Sequence, residues 1–486
     1  MRAVRLTILL NSILALALLQ GCATNPVTGE QDFVLMSESE EISLGAKYHD
    51  QMLQEMSVYP DPELAAYVDR VGQRIAQISH RPELNYRFTV IDSPTVNAFA
   101  LPGGYIYITR GILAYLNSEA ELAAVLGHEI GHVTARHSVR QHSASTATGI
   151  AGTIFGAATG VPGSQDLFNV FGEAMLSGYG RKQELESDRL GAQYLARSGY
   201  DPQAMLEVIG VLKNQELFEQ QRAREEGRKA RAYHGVFATH PDNDQRLQEV
   251  VAEANQLKNA TSPRVGRKEF LEHLDGIAFG PSENDGIVKA NRFYHKPLNF
   301  GLSFAPGWTV ENRPDRLLAV APDESAFMQV EVDPLPGKMA ASEYLKQKGL
   351  RDLRKLEPMK VKGFKAYTVT APVTTSFGKR GARIIVLFDN NRAYLFTGVS
   401  RSASNQKLFD GQFRDVARSY HHLSAKEKKI ATGLRLSITR TRSEINFSLL
   451  AKISPIPRYA ESELRLLNDL YPTGEPKPGQ PLKVVH

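Results

Sequence analysis

The amino-acid sequence predicts an α+β protein built from three consecutive parts. Its 486 residues are too many for one ordinary domain and leave room for several hydrophobic cores. Apolar residues recur with helical spacing, behind serine caps, through 37–260, and a small sheet interrupts them. Beyond residue 264 the apolar residues alternate instead, which is typical of strands. We therefore expect a mainly helical domain at 37–260, a separate α+β domain at 265–425 and a small module at 434–486.

Composition and charge exclude some classes of protein. Apolar residues make up 42% of the chain and charged residues 23%, which is near the average for folded domains. The net charge of +5 is modest for this length and does not by itself support nucleic-acid binding. We expect a folded protein without a nucleic-acid partner.

The N-terminal segment has the pattern of an export signal. Arg2 and Arg5 precede two apolar runs, at 6–10 and 13–19. These runs are shorter than the roughly 20 residues that span a bilayer, and they end at small residues, as cleavage sites do. Residues 1–21 are therefore predicted to be a signal peptide.

Cys22 is the only cysteine of the chain and directly follows Leu19-Gln20-Gly21. This arrangement resembles the lipobox of bacterial lipoproteins. The resemblance implies lipidation of Cys22 and stable anchoring by its acyl chains. Ala23 at the next position favours the outer membrane, facing the periplasm. The polar, turn-prone residues 22–36 would then be a tether.

Two helices and a small sheet are predicted ahead of the central helix of the first domain. Ser37 and Glu40 have the spacing of a capping box, and Asp61 precedes a proline at a second helix start. Alternation over 86–91 and 104–109 predicts two strands, with residues 96–99 and 102–104 between them as a loop or bulge.

The central helix is predicted to begin at Ser118, where Glu121 completes a capping box. Its apolar residues are expected to bury one face. After it, residues 143–163 carry no charge and are expected to form a mobile flap or a closely packed helical hairpin. Further helices are predicted at 177–198, from 201 onward and at 242–257, with a charged insertion over 220–231.

The sequence His128-Glu129-Ile130-Gly131-His132 lies within this central helix. Residues four apart share one helix face, so the two histidines would present imidazoles to one Zn²⁺ ion, with Glu129 beside the metal. Zinc with three protein ligands keeps a position for water and lowers its pKa to about 7. Glu129 would accept the proton of that water and deliver it to the leaving amine. The motif predicts one zinc ion per chain and hydrolysis of peptide bonds.

The third zinc ligand decides the subclass of peptidase. A metzincin would carry a histidine six residues after His132, where the sequence has Ser138, and a glycine in place of Ala135. His137 is one position short of that histidine and is expected to be structural. The spacing therefore disfavours a metzincin.

A carboxylate from a following helix is the alternative third ligand. Glu184 and Asp188 are four residues apart, so one can bind zinc while the other hydrogen-bonds a ligand imidazole. Glu186, between them, is expected to be a solvated charge.

The histidine motif, the pair Glu184 and Asp188, and Thr239-His240-Pro241 together resemble the M48 family of zinc metallopeptidases, in particular its HtpX and BepA-like members. The resemblance covers roughly 37–257. It implies a gluzincin-type domain in which Glu184 binds zinc and Asp188 supports a ligand histidine.

The same resemblance implies roles near the metal for His240 and Arg246. His240 would stabilise the oxyanion of the tetrahedral intermediate, or fill the open metal position in a latent resting form. A plain turn histidine ahead of a helix is the alternative. Arg246 would approach the zinc from the same side.

The segment 97–104 also matches the family, in which a strand edge is expected to bind extended substrate backbone by β-addition. The substrate-binding residues implied by this match are Asn97, Ala98, Phe99, Gly103 and Gly104.

The remainder of the chain is expected to bind or to scaffold. Residues 304–308, followed by alternating strands, resemble PsbP-like domains, which implies an antiparallel α+β fold. His421 and His422 are adjacent and would face apart, as solvated polar residues. The segment 478–483 is similar to a divergent LysM segment, which would bind peptidoglycan sugars; packing against the neighbouring domain is the alternative.

The predicted function is that of a zinc endopeptidase that cleaves unfolded or misassembled cell-envelope proteins at the outer membrane. Its expected partners are those substrates, the membrane through the lipid anchor, and peptidoglycan. The rival interpretation is a chaperone or assembly factor that holds clients in the same cleft, and intact Glu129 speaks against it. A peptidoglycan amidase is a third interpretation, disfavoured by the peptidase-type motifs.

Overall fold

The computed structural model describes residues 22–144, 179–229, 263–312, 316–350, 353, 355–375, 378–441 and 445–486. The predicted signal peptide, most of 143–163, the helix expected at 242–257, His240 and Arg246 lie outside the described residues. The chain divides into two compact units, Met1–Phe279 with Arg435–His486, and Gly280–Leu434. Within the described ranges, no helix combines the length and the hydropathy that crossing a bilayer requires.

The helices have the following bounds in chain order: α1 Glu38–Glu55, α2 Pro62–Ala76, α3 Arg110–Tyr115, α4 Glu119–Thr134, α5 Arg181–Arg197, α6 Ala204–Glu225, α7 Arg267–Leu274, α8 Ala341–Gln347, α9 Gln406–Arg418, α10 Ala425–Ile430, α11 Phe447–Ile453 and α12 Ala460–Leu467. Helices α8 to α10 belong to the second unit and the others to the first.

The strands have the following bounds: β1 Cys22–Thr24, β2 Gln31–Phe33, β3 Arg87–Ile91, β4 Ala98–Leu101, β5 Tyr105–Thr109, β6 Ala278–Phe279, β7 Ile287–Lys289, β8 Arg292–His295, β9 Phe300–Ser303, β10 Thr309–Asn312, β11 Leu317–Val320, β12 Ala326–Pro334, β13 Glu357–Val361, β14 Phe364–Thr375, β15 Gly378–Asp389, β16 Arg392–Ser400, β17 His421–His422, β18 Leu434–Arg440 and β19 Pro481–Val485. The α+β prediction is confirmed, with a largely helical first unit and a strand-rich second unit.

Three of the helix starts that the sequence predicts in the first unit are confirmed by their caps. The Ser37 side chain accepts from the backbone N–H of Glu40, whose carboxylate accepts in return from the backbone of Ser37. Asp61 caps α2, and Ser118 caps α4. The capping box predicted for Glu121 was wrong, because its carboxylate accepts from the backbone N–H of Asn117 and not from that of Ser118. These side chains satisfy backbone N–H groups that a helix cannot pair internally.

The small sheet ahead of α4 has the order β3-β5-β4. Strand β3 runs parallel to β5, and β4 runs antiparallel to it. The prediction of a loop or bulge over 96–99 was wrong for Ala98 and Phe99, which lie in β4. Phe99 stacks on Tyr107 across the strand pair at a centroid distance of 4.8 Å. Such cross-strand pairs stabilise a short strand. Strand β4 lies at the edge of this sheet.

Helix α4 is buried on every side from Glu119 to Thr134, whereas the sequence predicted one buried face. Its contact with α5 depends on glycines. A Cβ on Gly131 would lie 3.1 Å from Cα of Ser187, and one on Gly127 would lie 3.4 Å from Cα of Gly191. The two helices therefore approach closely enough for side chains of α5 to reach the histidines of α4.

The second unit contains a seven-stranded antiparallel sheet of order β10-β11-β12-β16-β15-β14-β13 and a four-stranded sheet of order β17-β9-β8-β7. Successive residues of β15 enter different cores. Ile385 packs with Phe413 of α9, and Ile384 packs with Leu345 of α8. This alternation is the two-residue period from which the strands were predicted.

The C-terminal residues lie in the first unit. Strand β18 pairs with β19 and neighbours β6 in a three-stranded sheet. The buried ammonium group of Lys483 donates to the backbone carbonyls of Ala114 and Leu116, at 2.7 Å each. This packing supports the packing alternative for the C-terminal segment, while its glycan binding stays a prediction. Residues 22–36, predicted as a tether, contain the two-stranded sheet β1-β2.

Candidate metal centre

Three buried side chains converge between α4 and α5. His128, His132 and Glu184 each offer a ligand atom, and these atoms lie within 4.8 Å of one another. The Nε2 atoms of the two histidines are 3.0 Å apart. The Glu184 carboxylate lies 3.6 Å from Nε2 of His128 and 3.4 Å from Nε2 of His132. The structure thus brings together the three residues that the sequence predicts as zinc ligands.

The chemistry of this donor set fits a cation such as zinc. Two imidazole nitrogens and one carboxylate oxygen are the ligands of catalytic zinc sites. Burial lowers the pKa of His132 well below its ordinary value, because the charged ring would lose its hydration. The neutral ring keeps a lone pair for a metal ion. The Glu184 carboxylate is fully buried, where a bound cation would compensate its charge.

Asp188 lies behind the first histidine. Its carboxylate is 2.8 Å from Nδ1 of His128. An ionised carboxylate only accepts hydrogen bonds, so contact with an ionised Asp188 requires the ring proton on Nδ1 and leaves the lone pair of Nε2 to a cation. This geometry favours Glu184 as the metal ligand and Asp188 as the residue that supports His128. The family resemblance implies the same assignment.

The second histidine has a different neighbour, which the sequence did not indicate. Nδ1 of His137 lies 2.8 Å from Nδ1 of His132. The other ring nitrogen of His137 lies 3.0 Å from a carboxylate oxygen of Glu186. The expectation that Glu186 is merely a solvated charge was wrong, because its carboxylate pairs with a buried imidazole.

Tyr179 covers His132 from one side. The two rings stack with centroids 3.9 Å apart and planes inclined by 18°. The phenol oxygen lies 2.6 Å from Oγ of Ser138, and burial raises the pKa of Tyr179. The tyrosine is therefore a neutral, fixed wall of the site. Tyr179 lies between the two motifs in the sequence, and its neighbouring residues did not predict that it would contact His132.

Glu129 borders a small apolar cavity. It is buried on α4, and the cavity beside it measures about 30 Å³. Helices α3, α4 and α6 and the edge strand β4 contribute the lining residues Ala98, Ile112, Ala124, Val125, His128, Met205, Val208, Ile209 and Leu212. The Glu129 carboxylate, a histidine of the candidate metal centre and a sheet edge therefore face the same space.

The predicted substrate-binding residues lie either at the edge strand β4 or in the turn that follows it. Ala98 lines the cavity, and Phe99 belongs to the same edge strand. Asn97, just before it, exchanges hydrogen bonds with Thr109 of β5. Gly103 and Gly104 are buried, and a Cβ on Gly103 would lie 3.0 Å from Cα of a residue in α1. Both glycines have positive φ, 76° and 94°, which suits the tight turn between β4 and β5. Their contact with substrate stays a prediction.

Cys22 is the first residue of β1 and pairs with Phe33 of β2. Its lipidation stays a prediction. His240 and Arg246 cannot be placed relative to the metal centre, since they lie outside the described residues.

Two histidines one helical turn apart, a carboxylate from a packed neighbouring helix and a glutamate beside them define the site of a metallopeptidase. The chain carries a domain of one family of that class, since residues 62–254 match Peptidase family M48.

Several curated proteins are similar to this chain. The "Beta-barrel assembly-enhancing protease" of Yersinia pestis is 28% identical over 256 residues, which are 51% of this chain and 50% of that protein. The protein of the same name in Escherichia coli K12 is 31% identical over 245 residues, 48% of each chain. The "Mitochondrial metalloendopeptidase OMA1" of Schizosaccharomyces pombe is 32% identical over 220 residues, 45% of this chain and 60% of that protein. The chain thus spans about half the length of the first two relatives.

Among solved structures, that of cyanobacterial PsbP (CyanoP) from Synechocystis is 12% identical and covers 28% of this chain and 96% of its own, with a TM-score of 0.23. A TM-score this low carries no argument, so the PsbP-like resemblance stays a prediction.

Proposed function

We propose that this chain is a zinc-dependent endopeptidase that hydrolyses peptide bonds in unfolded or misassembled cell-envelope proteins. One observation carries the proposal: His128, His132 and Glu184 converge next to Glu129, at a cavity bordered by an edge strand. The M48 domain at 62–254 supports the same reaction class.

The side chains of the site would divide the reaction between them. A zinc ion held by the two histidines and Glu184 would lower the pKa of water to about 7 and polarise the substrate carbonyl. The Glu129 carboxylate would accept a proton as the water oxygen attacks the carbonyl carbon. It would then deliver that proton to the amine nitrogen as the carbon–nitrogen bond breaks. Asp188 would hold His128 in the tautomer that leaves Nε2 free to bind.

The substrate chain would add to strand β4. This strand is at the sheet edge, and an extended peptide can pair with such an edge through backbone hydrogen bonds. Ala98 on β4 and Glu129 on α4 share the cavity, so a peptide on the edge would pass the catalytic carboxylate. The apolar lining would accept a small aliphatic side chain. A folded protein cannot present an extended backbone in this way, which favours unfolded substrates.

The location and the remaining partners are proposed from the sequence. Residues 19–22 favour lipidation of Cys22 and an outer-membrane protein that faces the periplasm. Two relatives are named for enhancing β-barrel assembly, which agrees with envelope proteins as substrates. His240 is proposed as an oxyanion donor or as a latent-state ligand, Arg246 as its neighbour, and the C-terminal segment as a contact to peptidoglycan.

The test compares the purified protein, from Ala23 onward, with its Glu129→Gln variant. We expect both to bind one zinc ion, and we expect the variant to cleave an unfolded outer-membrane protein about 10²–10⁴-fold more slowly, because it lacks the general base. Chelation should abolish cleavage by the parent protein. Zinc binding and client retention without cleavage by either protein would instead support the chaperone.

A further inference from the structure

We propose that His137 and Glu186 are positioning residues that fix the tautomer and the orientation of the metal ligand His132. The three side chains form a chain of hydrogen bonds, which we call the imidazole relay. This inference rests on the proposed metal site and adds to it a support for the second histidine.

The imidazole relay consists of two contacts in succession. Nδ1 of His132 lies 2.8 Å from Nδ1 of His137. Nε2 of His137 lies 3.0 Å from Oε2 of Glu186. His137 is fully buried, and the side chain of Glu186 is 24% exposed. Both distances are those of good hydrogen bonds, so each contact needs one donor and one acceptor.

Counting protons along the relay leaves a single arrangement for a metal-bound site. If Nε2 of His132 gives its lone pair to a metal ion, the ring proton is on Nδ1, which must donate. Nδ1 of His137 must then accept, so the neutral ring of His137 carries its proton on Nε2. That proton points at the carboxylate of Glu186, which can only accept.

The reverse arrangement fails at both ends. If His137 donated from Nδ1, then Nδ1 of His132 would be the acceptor and its Nε2 would carry the proton, which prevents metal binding. Nε2 of His137 would also turn a lone pair toward the carboxylate of Glu186. The carboxylate therefore selects, through one intervening ring, the tautomer of His132 that binds metal.

A break in the helix brings His137 to this position. In a straight helix two residues five apart point about 140° away from each other. Here α4 ends at Thr134, and Arg136 adopts a positive φ of 54° before the chain becomes helical again at His137. The Arg136 guanidinium donates to the buried carboxylate of Glu41 on α1, at 2.9 Å. The turn that aims His137 is thus anchored by another helix.

Helix α5 supplies both the third ligand and the end of the relay. Glu184 and Glu186 are two residues apart on it, and they approach the same histidine from different sides, directly and through His137. Arg140 lies 3.7 Å from the Glu186 carboxylate and favours its ionised form. A shift of α5 would therefore disturb both supports of His132 together.

The first test measures zinc affinity by competition with a chelator. His137→Leu removes the acceptor while keeping an apolar filling, and it should raise the zinc Kd about 10–100-fold. His137→Asn keeps an acceptor oxygen near the position of Nδ1 and should recover most of that loss. Glu186→Leu should raise the Kd about tenfold.

The matched control is the pair His421 and Glu427 of the second unit, where Nε2 and Oε1 are also 3.0 Å apart. His421→Leu and Glu427→Leu remove the same kind of contact and should leave the zinc Kd unchanged. Circular dichroism reports whether each variant folds. If His137→Leu does not fold, the zinc affinity of Glu186→Leu still tests the relay.

The second test reads the tautomer itself. In protein with ¹⁵N-labelled histidine, two-bond nitrogen–proton spectra should show His137 protonated on Nε2 when zinc is bound. In zinc-free protein, where Nδ1 of His132 need not donate, Glu186→Leu should shift His137 toward the Nδ1 form. Protonation of His137 on Nδ1 in the parent protein, or unchanged zinc affinity in His137→Leu and Glu186→Leu, would overturn the relay. If the parent protein binds no zinc, the proposed function falls with it.

Discussion

The two histidines of the candidate metal centre show which contacts of single residues could be predicted from the sequence. Asp188 was predicted to support one of the ligand histidines, from its spacing to Glu184 and from the family resemblance, and its 2.8 Å contact with His128 agrees with that prediction. His137 was assigned a structural role, because it lies one position short of the histidine that a metzincin would carry. A continuous helix would also turn it away from His132. The positive φ of Arg136 has no clear sequence signal, so this contact could not be predicted.

A histidine outside the metal centre makes stability depend on pH. Burial and, to a lesser degree, Arg392 lower the pKa of His295 to about 4. Its Nδ1 accepts the backbone N–H of Leu298 at 3.2 Å, which requires a ring without a proton there. Since the folded pKa is lower than the unfolded value of about 6.5, folding is favoured by the neutral ring. This stability is present above pH 6.5 and is lost as pH falls toward 4.

We predict that the second unit loses up to about 2 kcal/mol of unfolding free energy between pH 7 and pH 5 through His295. Urea titrations at the two pH values, followed by the fluorescence of Trp308 in the same unit, measure this difference. His295→Asn keeps an acceptor but does not titrate, so its stability should depend less on pH. An equal pH dependence in the variant would contradict the prediction.

At the scale of elements, the close packing of α4 on α5 determines whether the third ligand reaches the histidines. A Cβ on Gly131 would lie 3.1 Å from both Cα and the carbonyl oxygen of Ser187. Backbone atoms cannot move aside as a flexible side chain can, so the helices would have to separate. Glu184 is on the helix that would move.

Gly131→Ala should therefore cost about 1–3 kcal/mol of stability and weaken zinc binding. Gly210→Ala is the matched control, because Gly210 is also within a helix, α6, and a Cβ there would meet nothing within 4 Å. The control should be neutral or stabilising by up to about 1 kcal/mol. Thermal unfolding measures stability, and chelator competition measures zinc affinity. If Gly131→Ala and Gly210→Ala have the same stability and zinc affinity, the close contact of α4 with α5 is not required for either property.

The helices and strands also show which elements could be predicted from local sequence patterns. Capping residues predicted the starts of α1, α2 and α4, because a side-chain oxygen three residues before a backbone N–H is a local feature. Strand β4 was missed because its four residues, between Asn97 and Pro102, are too short for alternation to be recognised. Its stability comes from pairing with β5, which local sequence does not reveal.

At the scale of the whole molecule, the C-terminal residues complete the unit that carries the metal centre. The Lys483 ammonium is buried and donates to two carbonyls at the end of α3, just ahead of α4, which carries the two histidines of the candidate metal centre. The sequence predicted a small appended module at 434–486, and a lysine is usually solvated. The partners of Lys483 lie more than 360 residues earlier in the chain, and no pattern in one sequence connects them.

Lys483→Met should destabilise the first unit by about 1–3 kcal/mol, because two buried carbonyl groups lose their donor. Lys452→Met, at an exposed position of α11, is the control and should change stability by less than about 0.5 kcal/mol. Thermal unfolding measures the difference. An unchanged melting temperature in Lys483→Met would show that the C-terminal strand does not support the catalytic unit.

The central claim is that His128, His132 and Glu184 bind a zinc ion beside Glu129. The most direct measurement is anomalous diffraction at the zinc absorption edge from crystals of the zinc-loaded Glu129→Gln variant. Our account predicts one strong peak within bonding distance, roughly 2.0–2.2 Å, of Nε2 of both histidines and a Glu184 oxygen, with Asp188 still on Nδ1 of His128. A peak bound by Asp188 in place of Glu184, or no peak between the two helices, would contradict it.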